Sequence, residues 1–459
     1  MNDILRVAVV GHTNTGKTSL LRTLLRDTRF GEVSSRPSTT RHVEGARLLA
    51  DGASVAQLFD TPGMEDAIAL LDYLDTLAPP AERIDGPERI ARFLQSPEAV
   101  GRFEQEAKVL RQLSNSDAGF YVIDARDPVL PKHRDELTLL AACAHPILPV
   151  LNFMHQPETQ EAAWRAMLAR VGLHAHIRFD TVAPEDGGER RLYEALATLL
   201  PERRGALEQL IATRERDAAE RRVAAARLVA ELLIDTASAR RQVAADEALL
   251  RAAIDQLHAD VRQREQRCVD ALLDLYAFGR NDVASSQLPL LDGRWEDDLF
   301  SAEALRTMGI TVGKGAAAGA AAGVGIDLIT GGLTLGAAAA LGALIGGTWQ
   351  SVSQYGDRLL GKLSGVRELT VDDAIIRVLA ARQQALLHAL TGRGHAAITP
   401  IELVDPGLKR WREGPLPAAL DEARAHPEWS GLTGRPDDAS SDRQAAILAL
   451  VEQFQADAA

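Results

Sequence analysis

A chain of 459 residues, 46% hydrophobic and 25% charged, has the balance of an ordinary globular protein and enough apolar surface for two or three domains. Its 64 acidic against 51 basic residues, a net charge of −13, speak against sequence-independent binding to nucleic acid, and no nucleic-acid partner is expected. Cys143 and Cys268 stand too far apart for a disulfide framework or a zinc motif, and no signal-peptide pattern precedes the first strand, so a reducing cytoplasm is expected.

In chain order, residues 5–200 alternate short apolar runs with helical ones. This predicts an α/β domain with a mainly parallel sheet and helices on both faces. Candidate strands are 7–10, 56–59, 119–123 and 147–151. The first, Val7-Ala8-Val9-Val10, leads into a loop of pattern G-x-x-x-x-G-K-[ST] at Gly11, Gly16, Lys17 and Thr18, and a helical run follows. Strand, glycine loop and helix in that order form a phosphate-binding loop. Gly11, Asn14, Thr15, Gly16, Lys17, Thr18 and Ser19 are the expected contacts, because backbone N–H groups there turn inward and the helix adds its positive dipole end. Lys17 should reach the β- and γ-phosphates, and the Thr18 hydroxyl is a hard oxygen ligand for Mg²⁺.

A second motif, Asp60-Thr61-Pro62-Gly63, ends the apolar run 55–59. An aspartate at that place holds Mg²⁺, usually through water, and the glycine N–H meets the γ-phosphate. Between the motifs lies Pro37-Ser38-Thr39-Thr40-Arg41-His42, where a threonine that ligates Mg²⁺ only in the triphosphate state would make an order–disorder switch. The segment 63–117 is mainly helical, broken at Pro79-Pro80 and Pro97, and longer than an ordinary connection. It reads as a lid or a partner surface. Asp124 ends a strand and reads as structural.

Residues 206–278 contain neither glycine nor proline, and Leu250, Ile254, Leu257 and Val261 recur at helical spacing. This predicts an extended helical region, in a bundle or as an antiparallel coiled-coil stalk. Residues 315–347 hold 10 Gly, 11 Ala and the single charge Asp327, with glycines four apart, which suits a tightly packed helical hairpin of glycine-zipper type. Two environments stay open for it. Protein suits the low hydrophobicity, each half being short for a span; lipid would place the chain at the inner membrane, peripherally or inserted. Residues 366–459 look helical, with Thr370 and Asp373 resembling a capping arrangement and Ser441 starting a last helix. The expected segments are thus 1–200, 201–310, 311–365 and 366–459.

GHTNTGKTSLL, PSTTRH and DTPG together resemble the TrmE–Era group of translation-factor-type bacterial GTPases, over roughly the first third of the chain. The resemblance implies GTP and GDP as ligands, hydrolysis of GTP, and Lys17, Thr40, Gly63 and Asn14 as the groups that serve it. Thr40 would be the switch ligand, completing a Mg²⁺ set with Thr18 and Asp60, and Asn14 falls where potassium-activated members hold K⁺. Met64 follows the second motif where many GTPases have a water-orienting glutamine. Slow turnover is therefore expected unless a cation, dimer or partner completes the site, with Glu65 or Asp66 as alternative water-orienting groups. The chain departs from the group at base recognition. Asn152-Phe153-Met154-His155 replaces Asn-Lys-x-Asp, so Asn152 is kept but the aspartate is lost. Guanine preference is then relaxed or supplied by another acid such as Glu158, and the backbone of Ala183 is a weak match for the loop at the base oxygen. The C-terminal half resembles the uncharacterised helical domain attached to some bacterial GTPases. The leading expectation is a conformational switch that signals to an unknown protein partner or self-associates through the helical half. A dynamin-like membrane GTPase and a nucleotide-binding scaffold with negligible turnover are the alternatives.

Overall fold

Residues 4–27, 43–77, 84–154, 158–182, 187–278, 326–329, 366–391, 410–412, 414–434 and 440–457, with a few short pieces between them, are described by a computed structural model. The chain divides into two compact units, one formed chiefly by residues 1–219 and the other by residues 220–275 and most of the chain from residue 288 onward.

The first unit is a six-stranded sheet in the order β2-β3-β1-β4-β5-β6. Its strands are β1 (Leu5–Val10), β2 (Glu44–Ala50), β3 (Ala53–Asp60), β4 (Ala118–Asp124), β5 (Ile147–Asn152) and β6 (Ile177–Arg178). All neighbours are parallel except β2 on β3. Alternation along β1 puts Val7 and Val9 into one apolar layer and Ala8 and Val10 into the other, as the two-residue period of a strand requires. Helices α1 (Lys17–Leu25) and α7 (Gly188–Leu199) cover the first layer. The second is covered by α2 (Ala67–Leu77), α3 (Gly86–Leu94), α4 (Glu104–Ser114), α5 (Pro131–Ala141) and α6 (Glu161–Arg170). Registers bring the C-terminal ends of four parallel strands together, Val9 opposite Asp60, Val10 opposite Tyr121, and Asp124 opposite Asn152. That edge is where open α/β sheets bind ligands.

Two elements here escaped the sequence reading. β2 is joined to β3 through Asp51-Gly52, both with positive φ (50° and 78°), a two-residue hairpin turn whose Asp-Gly dipeptide is its signal in the sequence. β6 has two residues, too few for any pattern. The segment read as a lid or partner surface is in large part core. Leu70 and Leu74 of α2, Ile90 and Phe93 of α3, Phe103, and Leu110 and Leu113 of α4 are buried on the sheet.

The second unit contains the later part of α8 (Arg204–Ala237), then β7 (Arg240–Ala244), α9 (Glu247–Leu275), β8 (Ile326–Ile329), β9 (Val366–Val371), α10 (Asp373–Thr391), α11 (Ala418–Ala425) and α12 (Ser441–Asp457). The extended helical region expected over 206–278 is present as α8 and α9, interrupted by β7, which pairs antiparallel with β9. Thr236 and Ser238 bond back to the carbonyls of Leu232 and Ile234 as α8 ends, and Asp246 caps α9 at the N–H groups of Ala248 and Leu249. Absence of glycine and proline permits a helix but does not impose one. Within the predicted Gly/Ala-rich hairpin only 326–329 lie among the described residues, and they are extended, pairing with β9 on its other edge. The rest of 315–347 falls outside the described residues, and no described helix is long and apolar enough to cross a membrane. The cap of α10 is also corrected. Asp372 accepts from Ala374 N at 2.6 Å, while Thr370 sits in β9.

From residue 378 to 386 every residue of α10 is buried, including Arg382, Gln383 and Gln384, and polar groups buried there are costly unless partnered. Arg382 lies 3.5 Å from Glu265 of α9, and Gln384 accepts from Trp411 Nε1 at 2.7 Å. Burial lifts the Glu265 carboxyl to about 7, against the pull of Arg382. Between its ordinary 4.5 and that value, folded protein keeps a proton that unfolded chain has released. Stability is therefore greatest below the lower value and falls as pH rises to the upper, by about 3 kcal/mol at most. Melts at pH 5 and pH 8 should show wild type losing several degrees more than Glu265→Gln, which keeps the neutral form throughout; equal losses would contradict the assignment.

Candidate functional site

The site grows out of two glycines. Gly11 at the end of β1 has φ +142°, and a Cβ there would stand 2.6 Å from the Val122 carbonyl oxygen. Gly16 has φ +91°, caps the start of α1, and would drive a Cβ to 2.3 Å from Asn152 Nδ2. Neither place admits a side chain, so the loop between them folds tightly over the strand ends. Asn14 takes the left-handed conformation at φ 64° and is exposed, while Thr15 is buried and donates to the His12 carbonyl at 3.1 Å. Ser19 lies half-buried in the first turn of α1.

Lys17 is buried, its Nζ donating to the carbonyls of His12 at 2.7 Å and Gly11 at 3.2 Å. Burial lowers its pKa to about 8, opposed by the carboxylates of Asp60 and Glu136. Asp60, at the end of β3, is 1% exposed and accepts from Thr18 Oγ1 at 2.5 Å. Its carboxyl is pushed up by burial, while the Thr18 hydroxyl and Lys17 hold it down. The other oxygen, Oδ1, is buried with no hydrogen-bond partner among the described residues. Two hard oxygen groups, one of them with a lone-pair face unused, are donors of the kind a divalent cation takes.

Beyond Asp60, Thr61 Oγ1 donates to the Val9 carbonyl at 2.8 Å, and Met64 pairs with His12 in an isolated parallel bridge. Gly63 lies so close to the first loop that a Cβ would meet Thr13 Cγ2 at 2.4 Å. Buried Glu106 of α4 accepts from the N–H groups of Glu65 and Asp66 at 2.8 and 2.9 Å, pinning the chain after the motif. That anchor is absent from the sequence reading, because 41 and 40 positions separate its ends. Thr40 and Ala183 lie outside the described residues, as does His155.

Asn152 is fully buried, and its side chain is taken up inside the domain. Nδ2 donates to the Thr15 carbonyl at 3.0 Å. Oδ1 accepts from Phe153 N, Thr181 N and Thr181 Oγ1 at 2.9, 2.9 and 3.0 Å. It thus ties the phosphate loop to β5 and to the loop after β6. Beside it Phe153, at φ 59°, lies under the Arg126 guanidinium at 4.1 Å, and Arg126 grips Asp124 through Nε at 2.8 Å and through its terminal nitrogen at 2.5 Å. Asn152→Ala should remove about 2 kcal/mol of stability from nucleotide-free protein by stranding buried groups. A denaturation midpoint unchanged from wild type would contradict the clamp.

The family model described as "50S ribosome-binding GTPase" matches residues 6–153, and residues 6–153 form a P-loop GTPase domain. The model described as "Domain of unknown function (DUF3482)" matches residues 165–452. No curated protein matches the chain. Among solved structures it is similar to Aquifex aeolicus Era bound to GDP·AlF4−, at 18% identity over 43% of this chain and 56% of that one, with a TM-score of 0.30. It is also similar to Era in complex with MgGDPNP and a piece of 16S ribosomal RNA, at 16% identity over 43% of this chain and 57% of that one, with a TM-score of 0.32. A third is the G domain of the T. maritima FeoB iron transporter, at 17% identity over 43% of this chain and 99% of that one, with a TM-score of 0.25. The chain thus spans little more than half the length of the two Era structures.

Proposed function

Because this chain belongs to the family described as "Domain of unknown function (DUF3482)" and carries a P-loop GTPase domain ahead of it, we propose that it is a Mg²⁺-dependent GTPase working as a conformational switch. The observation that carries the reading is the meeting of Thr18 and Asp60 at 2.5 Å, with Asp60 Oδ1 left over and Lys17 buried beside them. Thr18 and Asp60 would hold Mg²⁺, with Thr40 joining them in the triphosphate state. The ion supplies charge neutralisation on the phosphates when bound.

The chain's own groups do the rest. Backbone N–H groups from Asn14 to Ser19 bind and orient the phosphates at the N-terminus of α1. Lys17 leaves its two carbonyls for the phosphate oxygens, and Gly63 N–H stands where the terminal phosphate arrives. Asn14 would hold K⁺ through its side-chain oxygen, adding positive charge at the group being transferred. Met64 is fully buried and offers no hydrogen bond to water, so turnover is slow without a cation or a partner.

A second feature concerns the base. With Asn152 committed to the clamp and no aspartate three positions on, guanine loses the bidentate acceptor that separates it from adenine. Discrimination between GTP and ATP is then about tenfold or less, against the 10⁴–10⁵ of a site built on such a pair.

Phosphate release from the purified chain in K⁺ and Na⁺ buffers, with GTP and ATP compared, tests both points. Faster release in K⁺ and a narrow GTP-to-ATP ratio are expected. Lys17→Ala should abolish binding and turnover, and hydrolysis unchanged in that variant would rule this site out.

A further inference from the structure

One carboxylate beside the phosphate loop does more than offset the charge of Lys17. Glu136 of α5 is 1% exposed, yet it carries a carboxylate into the layer beneath the loop. Its Oε1 lies 2.6 Å from His12 Nδ1, and its Oε2 accepts from the Tyr121 hydroxyl of β4 at 2.8 Å. One turn earlier on the same helix, Lys132 Nζ lies 2.7 Å from His12 Nε2. An ammonium has only donors, so Nε2 accepts and the imidazole carries its proton on Nδ1, donated to Glu136. His133, from the same turn, sets its ring edge-on to His12 at 5.7 Å. The second residue of the loop is therefore held at both ring nitrogens by one helix.

The main chain of His12 does three things at once. Its carbonyl is the nearer resting acceptor for Lys17 Nζ, at 2.7 Å, and it also receives Thr15 Oγ1. Its backbone pairs with Met64, the residue after Gly63. The place where Lys17 stands and the distance of Gly63 from the loop both depend on where His12 is fixed. The ring itself points away into α5.

We infer that His12, clamped between Glu136 and Lys132, is a positioning residue that lets the site tell a nucleoside triphosphate from a diphosphate. This rests on the proposal that the site binds a nucleotide. With the clamp broken the loop keeps its glycines and its α1 N-terminus, which serve the phosphates common to both ligands. What loosens is the bridge to Met64, and with it the N–H of Gly63 that only a third phosphate meets.

The experiment is equilibrium binding of GDP and of a non-hydrolysable GTP analogue to the full chain with Mg²⁺. Wild type is compared with His12→Ala, Glu136→Ala, Glu136→Gln and Lys132→Ala, and each melting point is recorded. His12→Ala and Glu136→Ala should weaken the triphosphate about tenfold, the scale of one charge-assisted hydrogen bond, and the diphosphate about threefold or less. Glu136→Gln keeps an acceptor for His12 Nδ1 and should recover most of the difference. Lys132 is half-buried at the helix start, so Lys132→Ala provides a folded variant with a smaller loss of the same sign should the Glu136 changes unfold. Equal losses for both ligands, or none, in folded variants would overturn the inference and leave the nucleotide site standing. Failure of wild type to bind either ligand would instead sink the nucleotide reading, and this one with it.

Discussion

Lys17 holds an ammonium inside the first unit, and much of the architecture around it answers that charge. A buried cation is tolerated only where acceptors and counter-charges surround it. The carbonyls of Gly11 and His12 accept its protons, and the carboxylates of Asp60 and Glu136 supply the opposing charge from β3 and α5. Those partners come from three separate elements, so the parallel strand order that aligns their ends is a condition for the site. Burial still lowers the lysine to about 8, which means the surroundings fall short of water as a solvent for it. In the proposed reading, a polyanion arriving over α1 would make good that shortfall. On the function proposed above, affinity for phosphate would be the other face of the desolvation imposed by the fold.

The two carboxylates next to that charge differ in what surrounds them. Asp60 has one oxygen on the Thr18 hydroxyl and one with no partner among the described residues, an arrangement that costs stability. Glu136 has both oxygens engaged, by His12 and Tyr121. On the proposed reading the first would be a metal ligand, and the second is a strut.

Much of the first unit was legible because its signals are local. Gly11, Gly16, Lys17 and Thr18 fall within eight consecutive positions, and Asp60 ends its own strand. What stayed hidden depends on pairs distant in sequence. His12 meets Glu136 across 124 positions, and Asn152 reaches Thr15 across 137. A clue lay in α5, where His133, Glu136, Leu137 and Leu140 share one face, so two polar groups point where a core helix should be apolar. In the second unit β7 and β9 pair Arg240 with Thr370, and no window of sequence spans that distance. The carboxylate of Asp235 is another such knot. It is gripped by Arg264 at 2.7 Å and Arg443 at 3.1 Å and accepts from Gly431 N at 3.1 Å, and with them it joins α8, α9, the loop after α11 and α12. Composition announced a helical region there, but the small sheet and its ionic centre are products of tertiary pairing.

The central claim is that a triphosphate and a divalent cation complete the electrostatics around Lys17 and Asp60 together. Calorimetric titration of the full chain with GTP, in Mg²⁺ and then in excess chelator, measures this directly. The account predicts saturable one-to-one uptake with Mg²⁺ and an affinity about tenfold or more weaker without it, since a charge-neutralising ligand of that kind contributes at least the ~1.4 kcal/mol of one decade. Heats that do not change when the metal is removed, or no uptake in either buffer, would contradict it.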